Sequence, residues 1–206
     1  MKAYLKVIFA GILGLYLTGC ASIMTAEQAA PNLSFQEDAG PLVVAVLDNR
    51  PYVLDNDKKP SFEGLIRSSF GIPYSYGTAT GEAMSVYLGK RIEHGFKASG
   101  VDTVLYPTTV GMTKENLLQE LSKGGKKSLV VSLSEWKYDH HPFSKASYYD
   151  VEVTVLDQQG NRLVDKQFTG KDGIPSGHIV NAMQQLYKAR FEQFLSDAQI
   201  EQALRR

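Results

Sequence analysis

The chain of 206 residues contains a single cysteine, Cys20. One thiol cannot close a disulfide within the chain or build a cysteine-rich metal site. Charge of one sign is also missing: 22 Lys and Arg face 22 Asp and Glu. Nucleic-acid binding leans on a basic surface, so no nucleic-acid partner is expected. The apolar run Val7–Leu17 is too short to span a bilayer, which takes roughly twenty apolar residues. The Gly-x-Ser-x-Gly elbow of serine hydrolases is absent as well. With no disulfide framework, the fold must be held by its core alone, and a chain of this length can bury one.

What is present begins at the amino terminus. Lys2 and Lys6 form a short positive region, and Val7 to Leu17 is an uncharged apolar stretch. Small residues then precede Cys20, the layout of a secretory signal over residues 1–19. Leu17-Thr18-Gly19-Cys20 resembles the lipobox of bacterial lipoproteins. The resemblance implies a diacylglyceryl group on the Cys20 thiol, removal of the signal, and acylation (palmitate or a similar chain) of the new amino terminus. Two or more chains give stable anchoring where one is marginal, so the bilayer is an expected partner through Cys20. Residues 21 and 22 are Ala and Ser rather than Asp. In a Gram-negative envelope this resembles the signal for an outer-membrane anchor facing the periplasm.

Cleavage would leave 187 residues with 20 basic and 22 acidic side chains. Residues 20–40 are small and polar without a period and read as a flexible tether. Twenty such residues span about 25 Å. Residues 41–206 then read as one α/β domain. Leu42 to Leu47 is a continuous apolar run, as expected of a strand buried on both faces. Residues 50–80 are dense in Pro, Gly, Tyr and Ser and read as one long loop. Thr80 is expected to cap a helix from Gly81 to Ser99, with Met84, Leu88, Ile92 and Phe96 on one face and Gly100 closing it. Val101 to Tyr106 reads as a strand. Thr113 is the expected cap of a short helix through Leu117, Leu118 and Leu121. Leu129–Trp136, Ser147–Leu156 and Arg162–Phe168 read as three strands of an antiparallel meander. Ser176 is expected to cap a last helix, whose apolar stripe runs from Ile179 to Ala198, with the tail to Arg206 completing it.

The expected order is β-α-β-α-β-β-β-α: a mixed α/β sheet with a parallel start, an antiparallel end, and helices packed on it. This layout, together with Ser134-Glu135-Trp136 and Val155-Leu156-Asp157-Gln158-Gln159-Gly160, resembles the YajG-like lipoproteins, the amino-terminal domain of TolB and the auxiliary lipoproteins of ABC transporters. The resemblance implies a non-enzymatic envelope accessory with a binding or assembly role and no cofactor.

The segment 50–80 carries the candidate contacts. Long connections in compact domains are often functional, and this one leaves the carboxyl end of the first strand, where open α/β sheets place their crevices. Arg50, Tyr52, Arg67, Phe70, Tyr74 and Tyr76 combine rings and cations suited to a protein or glycan partner. The alternative is that the rings fold inward and pin the loop to the domain.

Other patterns fail on inspection. Asp55-Asn56-Asp57 lacks the glycine and the distal glutamate of a calcium loop, which would fall at Pro60 and Ile66. Asp139-His140-His141 puts neighbours on opposite strand faces, so no shared metal ion is expected. Gly124-Gly125-Lys126-Lys127-Ser128 lacks the first glycine of a phosphate loop and leads into a strand. The reading is therefore a lipid-anchored, non-enzymatic binding or assembly module. Its alternatives are a structural subunit of a transporter or other envelope complex, and a cell-wall or lipid hydrolase built from scattered Asp, Glu and His.

Overall fold

The computed structural model describes residues 22–35 and 41–205; the signal segment, Cys20 and Arg206 lie outside the described residues. The fold is a curled mixed sheet of seven strands with five helices packed against it. Strand β1, Leu42–Asp48, runs parallel to β4, Thr103–Tyr106, on one side and to β5, Lys127–His141, on the other. Strands β6, Ser144–Leu156, and β7, Arg162–Gly173, continue from β5 as the expected antiparallel meander.

Side chains alternate across a strand, and the burial follows. Val44 and Val46 of β1 join Leu129, Val131 and Leu133 of β5 and Val151, Val153 and Val155 of β6 in the main core. Helices α2, Met84–Ala98, α4, Ile179–Leu195, and α5, Ala198–Arg205, close that face. Ala45, Leu47 and Val130 point the other way, onto Leu117, Leu118 and Leu121 of α3, Lys114–Ser122. Strand β1 is thus covered on both faces, which is why it is apolar from Leu42 to Leu47. Each large side chain so buried contributes roughly 1.5–3 kcal/mol.

Two helix boundaries follow the sequence and two do not. The Thr113 hydroxyl accepts from the Asn116 amide at 3.2 Å, and Gly100 follows α2 with φ 90°. Thr80 does not cap α2, which starts three residues beyond Gly81; its hydroxyl donates to Glu82 instead. Ser176 does not cap α4, whose first turn follows His178 without a side-chain bond. The tail is a separate helix rather than an extension of α4. The chain breaks at Ser196 and Asp197, where Asp197 Oδ1 accepts from the Gln199 amide at 3.1 Å. Ile200, Ala203 and Leu204 then bury on the sheet.

The larger correction concerns residues 50–80. They hold a four-residue helix α1, Pro51–Leu54, and an antiparallel hairpin of β2, Phe62–Arg67, with β3, Pro73–Gly77. Strand β2 pairs in parallel with the far half of β5, through Gly64–Tyr138, Leu65–Asp139 and Ile66–His140. One edge of β5 is therefore shared, first by β1 and then by β2.

The amino-terminal segment is also not free-running where it is described. Residues 22–35 dock across α2 and α4. Met24 N–H donates to Asn181 Oδ1 at 3.1 Å, Asn181 Nδ2 to the Ser22 carbonyl at 3.0 Å, and Asn32 N–H to Glu192 at 2.8 Å. Ala29, Ala30 and Phe35 are buried, with the Phe35 ring 5.1 Å from that of Phe96. Pro31 passes so close to α2 that a Cβ on Gly95 would meet its carbonyl oxygen at 2.7 Å. Among the described residues no helix is long and apolar enough to cross a membrane.

Gly95 gives a test of this docking. Alanine suits a helix interior better than glycine by about 1 kcal/mol, yet its methyl needs the space Pro31 occupies. Gly95→Ala is expected to loosen residues 22–35 while the sheet stays folded. Amide exchange at Met24 and Asn32 should accelerate, with exchange in β5 unchanged.

Candidate interaction surface

The surface is set by a join in the sheet. Strand β1 ends at Asp48 and β2 begins at Phe62, and between them Arg50 lies flat against the shared edge of β5. Its side chain is fully buried. Nε and Nη2 each donate to an Asp48 carboxylate oxygen at 2.7 Å. Nη1 donates to the Phe62 carbonyl at 2.7 Å and the Trp136 carbonyl at 3.0 Å, and Nη2 also to the Pro60 carbonyl at 3.3 Å. Burial alone would lower the guanidinium pKa, but the Asp48 hydrogen bonds and charge outweigh it and raise it. Arg50 was expected to face a partner; it has no surface and no spare donor with which to do so.

Tyr52 is likewise turned inward. Its hydroxyl donates to Glu135 Oε1 at 2.7 Å, and its ring meets Phe62 edge-on at 5.5 Å. Burial, with the Glu135 hydrogen bond, holds the phenol well above its usual range. Arg67 is about a third exposed and forms a two-pronged pair with Asp139, Nε to Oδ1 and Nη2 to Oδ2, both at 2.7 Å. Its Nη1 also donates to the Gly71 carbonyl at 3.3 Å. Arg67 thus braces the β2–β3 turn against β5.

The other three candidates face out. Phe70, in the turn, is 93% exposed, Tyr74 54% and Tyr76 47%. Ile72 is exposed beside them. Tyr74 stands opposite Ile66 and Tyr76 opposite Gly64. Cross-strand partners share a face, and Ile66 packs against the main core. Both tyrosines are therefore on the helix-bearing face, at the margin the helices do not cover. Strand β3 is exposed at every residue, and among the described residues no strand pairs with its outer edge. At its base a groove of about 490 Å³ is lined by Lys58, Lys59, Phe62, Ser75 and Tyr76 among others.

Behind the hairpin is a buried polar group that sequence reading missed. The β2–β3 register shifts between Phe62 and Gly64, leaving Glu63 as the extra residue of a β-bulge. Glu63 is buried, and burial pushes its carboxyl up to about 7 against the opposing pull of the Tyr187 hydroxyl and of Arg91 and Arg50. Arg91 donates to the Tyr87 carbonyl at 2.6 Å and to Gln184 at 2.8 Å. Tyr87 Oη, Arg91 Nε, Gln184 Nε2 and Trp136 Nε1 have no hydrogen-bond partner among the described residues. Hairpin, α2 and α4 thus meet through polar groups, not through a dry seam.

The rejected patterns also find places. Asn56 takes φ 60° in an exposed turn after α1. Asp139 is engaged by Arg67, and His141 Nδ1 accepts from the Phe143 amide at 3.2 Å. Among the described residues no three His, Cys, Asp or Glu form a group that could hold a metal ion.

The sequence matches no family model and no curated protein. Solved structures do match. Protein XCC0632 from Xanthomonas campestris, of the family DUF330, superposes with a TM-score of 0.53 at 14% identity, over 83% of this chain and 90% of that one. The fold is shared. The PelC dodecamer from Paraburkholderia phytofirmans gives 0.43 at 11% identity, over 79% and 91% of the two chains. Lipoprotein GNA1162 from Neisseria meningitidis gives 0.31 at 17% identity, over 77% and 99%. None of the three is an enzyme by name.

Two measurements test the join and the polar group behind it. Removing one partner of a buried pair strands the other's charge and costs roughly 3–5 kcal/mol. Arg50→Ala is expected to lose that much in denaturant unfolding, and Arg50→Lys most of it, since an ammonium cannot reach all five acceptor atoms. For Glu63 the folded pKa is raised above the unfolded one. Native stability should therefore fall as pH rises from about 4.5 to about 7 and level off above. Glu63→Gln should abolish that slope and be more stable than the native chain at pH 8, on the order of 3 kcal/mol.

Proposed function

We propose that this protein is a non-enzymatic accessory of the bacterial envelope, anchored through lipid on Cys20 and binding a partner protein along strand β3. The observation that carries the reading is the aromatic edge itself. Soluble proteins protect edge strands with charge, bulges or a covering element. Here Ile72, Tyr74 and Tyr76 are exposed along an edge that carries no charged side chain and that no described strand covers, and Arg67 holds its turn in place from within. Strand addition would use the free backbone groups of β3 for affinity and the tyrosines for selection. Tyrosine suits this work, since it offers a large rigid contact with a polar tip.

Support for the envelope address comes from the lipobox-like Leu17–Cys20. In a Gram-negative cell the anchor would be in the outer membrane, with the domain in the periplasm. A permanent subunit of a larger envelope assembly would use the same edge, covered throughout the protein's life.

A photo-reactive residue replacing Tyr74 in the full-length lipoprotein tests the edge in cells. One discrete adduct, lost when Tyr76 is also changed to Ser, is the expected result. Normal membrane fractionation with no adduct would overturn the β3 assignment. Because both rings are about half exposed, the substitutions should change stability by less than about 0.5 kcal/mol.

A further inference from the structure

We infer that the domain stands directly on the bilayer that holds its lipid, with the phenyl groups of Phe70 and Phe143 and the Ile23 side chain set into the membrane interface. The inference rests on lipidation of Cys20, as proposed above, and adds an orientation and a second contact.

Ser22 is already fixed to α4 through Asn181, which also bonds Met24. Ala21 alone lies between Ser22 and Cys20, a reach of about 7 Å even when fully extended. A tether of twenty residues would let the domain stand off and turn; a single intervening residue does neither. The acyl chains must therefore enter the membrane close to the amino-terminal end of α4.

The hairpin turns lie at that end. Helix α4 runs back along β7, with Arg190 against Asp172 and Phe194 stacked on Phe168 at 4.6 Å. Arg190 ties the two together, Nε to Asp172 at 2.8 Å and Nη2 to the Ser147 carbonyl at 3.1 Å. From that level Asn181 lies nine residues back along the helix, about 13 Å at 1.5 Å per residue. From Ser147 the strand reaches Phe143 in four residues, again about 13 Å at 3.3 Å per residue. The β2–β3 turn is alongside, because β2 is paired with β5 up to His140. Anchor and both turns therefore share one end of the molecule.

Those turns present apolar rings to solvent. Phe70 is 93% and Phe143 85% exposed, the most exposed large apolar residues described, and Ile23, beside the anchor, is 49% exposed. Lys145 and Lys171 are exposed at the same end. Asp139 and Asp172 there are each paired with an arginine. Aromatic rings with flanking cations suit the headgroup region. The tyrosines of β3 run back from this end along the sheet edge and stay available to a partner.

The test uses full-length acylated protein in phosphatidylethanolamine–phosphatidylglycerol vesicles whose acyl chains are brominated. Phe143→Trp adds an indole at the turn, read as the difference from the native chain, whose one tryptophan, Trp136, is buried. The added emission should be blue-shifted and mostly quenched, and Phe70→Trp should behave likewise as an independent reporter. Red, unquenched emission from both variants with acylated Cys20 overturns the orientation and leaves the anchor standing. A mass showing unmodified Cys20 overturns the anchor and this inference with it.

Discussion

One guanidinium joins two parts of the sheet that share no backbone pairing. Strand β5 is 15 residues long, and neither β1 with seven nor β2 with six can cover its edge. Where one stops and the other starts, carbonyls of Pro60, Phe62 and Trp136 converge on a dry space beside the Asp48 carboxylate. A buried carbonyl without a donor is costly. Arg50 answers that demand with a planar fork that fits five acceptor contacts at once, and Asp48 balances its charge. Everything outward of the join takes its position from it: β2 along β5, β3 along β2, and the exposed tyrosines along β3.

The parts of the fold governed by local pattern were legible. The unbroken apolar run of β1, the alternation from Tyr149 to Val155, the Thr113 cap and the glycine after α2 all report conditions met within a few residues. The hairpin was not legible, and the reasons are physical. In β2 the bulged Glu63 and the side-chain-free Gly64 interrupt the period of two, and Tyr138 occupies the place where a Gly64 side chain would go. Strand β3, Pro-Tyr-Ser-Tyr-Gly, buries nothing and so shows no inside and outside. Arg50 read as a surface cation because its three carbonyl acceptors come from residues 10, 12 and 86 positions away. The six candidate contacts divide on the same principle. Those nearest the join, Arg50 and Tyr52, are drawn inward by partners on β5; Arg67 is held partly exposed by Asp139; Phe70, Tyr74 and Tyr76, further out, have no such partner among the described residues.

Residues 22–35 show how composition misleads. Small side chains without a period suit a linker, but they also suit a strip pressed between two helices. Ala29 and Ala30 are small enough to bury, and Pro31 passes flat against the bare backbone of Gly95. The amino-terminal strip then carries position rather than slack. It brings any anchor at Cys20 to a fixed point on the domain, and the exposed edge of β3 takes a fixed bearing from that point.

The shared edge of β5 also divides the molecule's resistance to opening. Strands β1, β5 and β6 are held on two sides by long ladders and covered by helices. The β2–β3 hairpin is held by three residue pairs, by Arg50, and by the Arg67 brace. Cooperative units with few buried apolar contacts open at lower free energy than the whole. The hairpin is therefore the natural unit of partial unfolding: it can lift away while the remaining sheet keeps its core. Lifting it would bare the far edge of β5 and the Glu63 side chain together, giving this protein a second, hidden face.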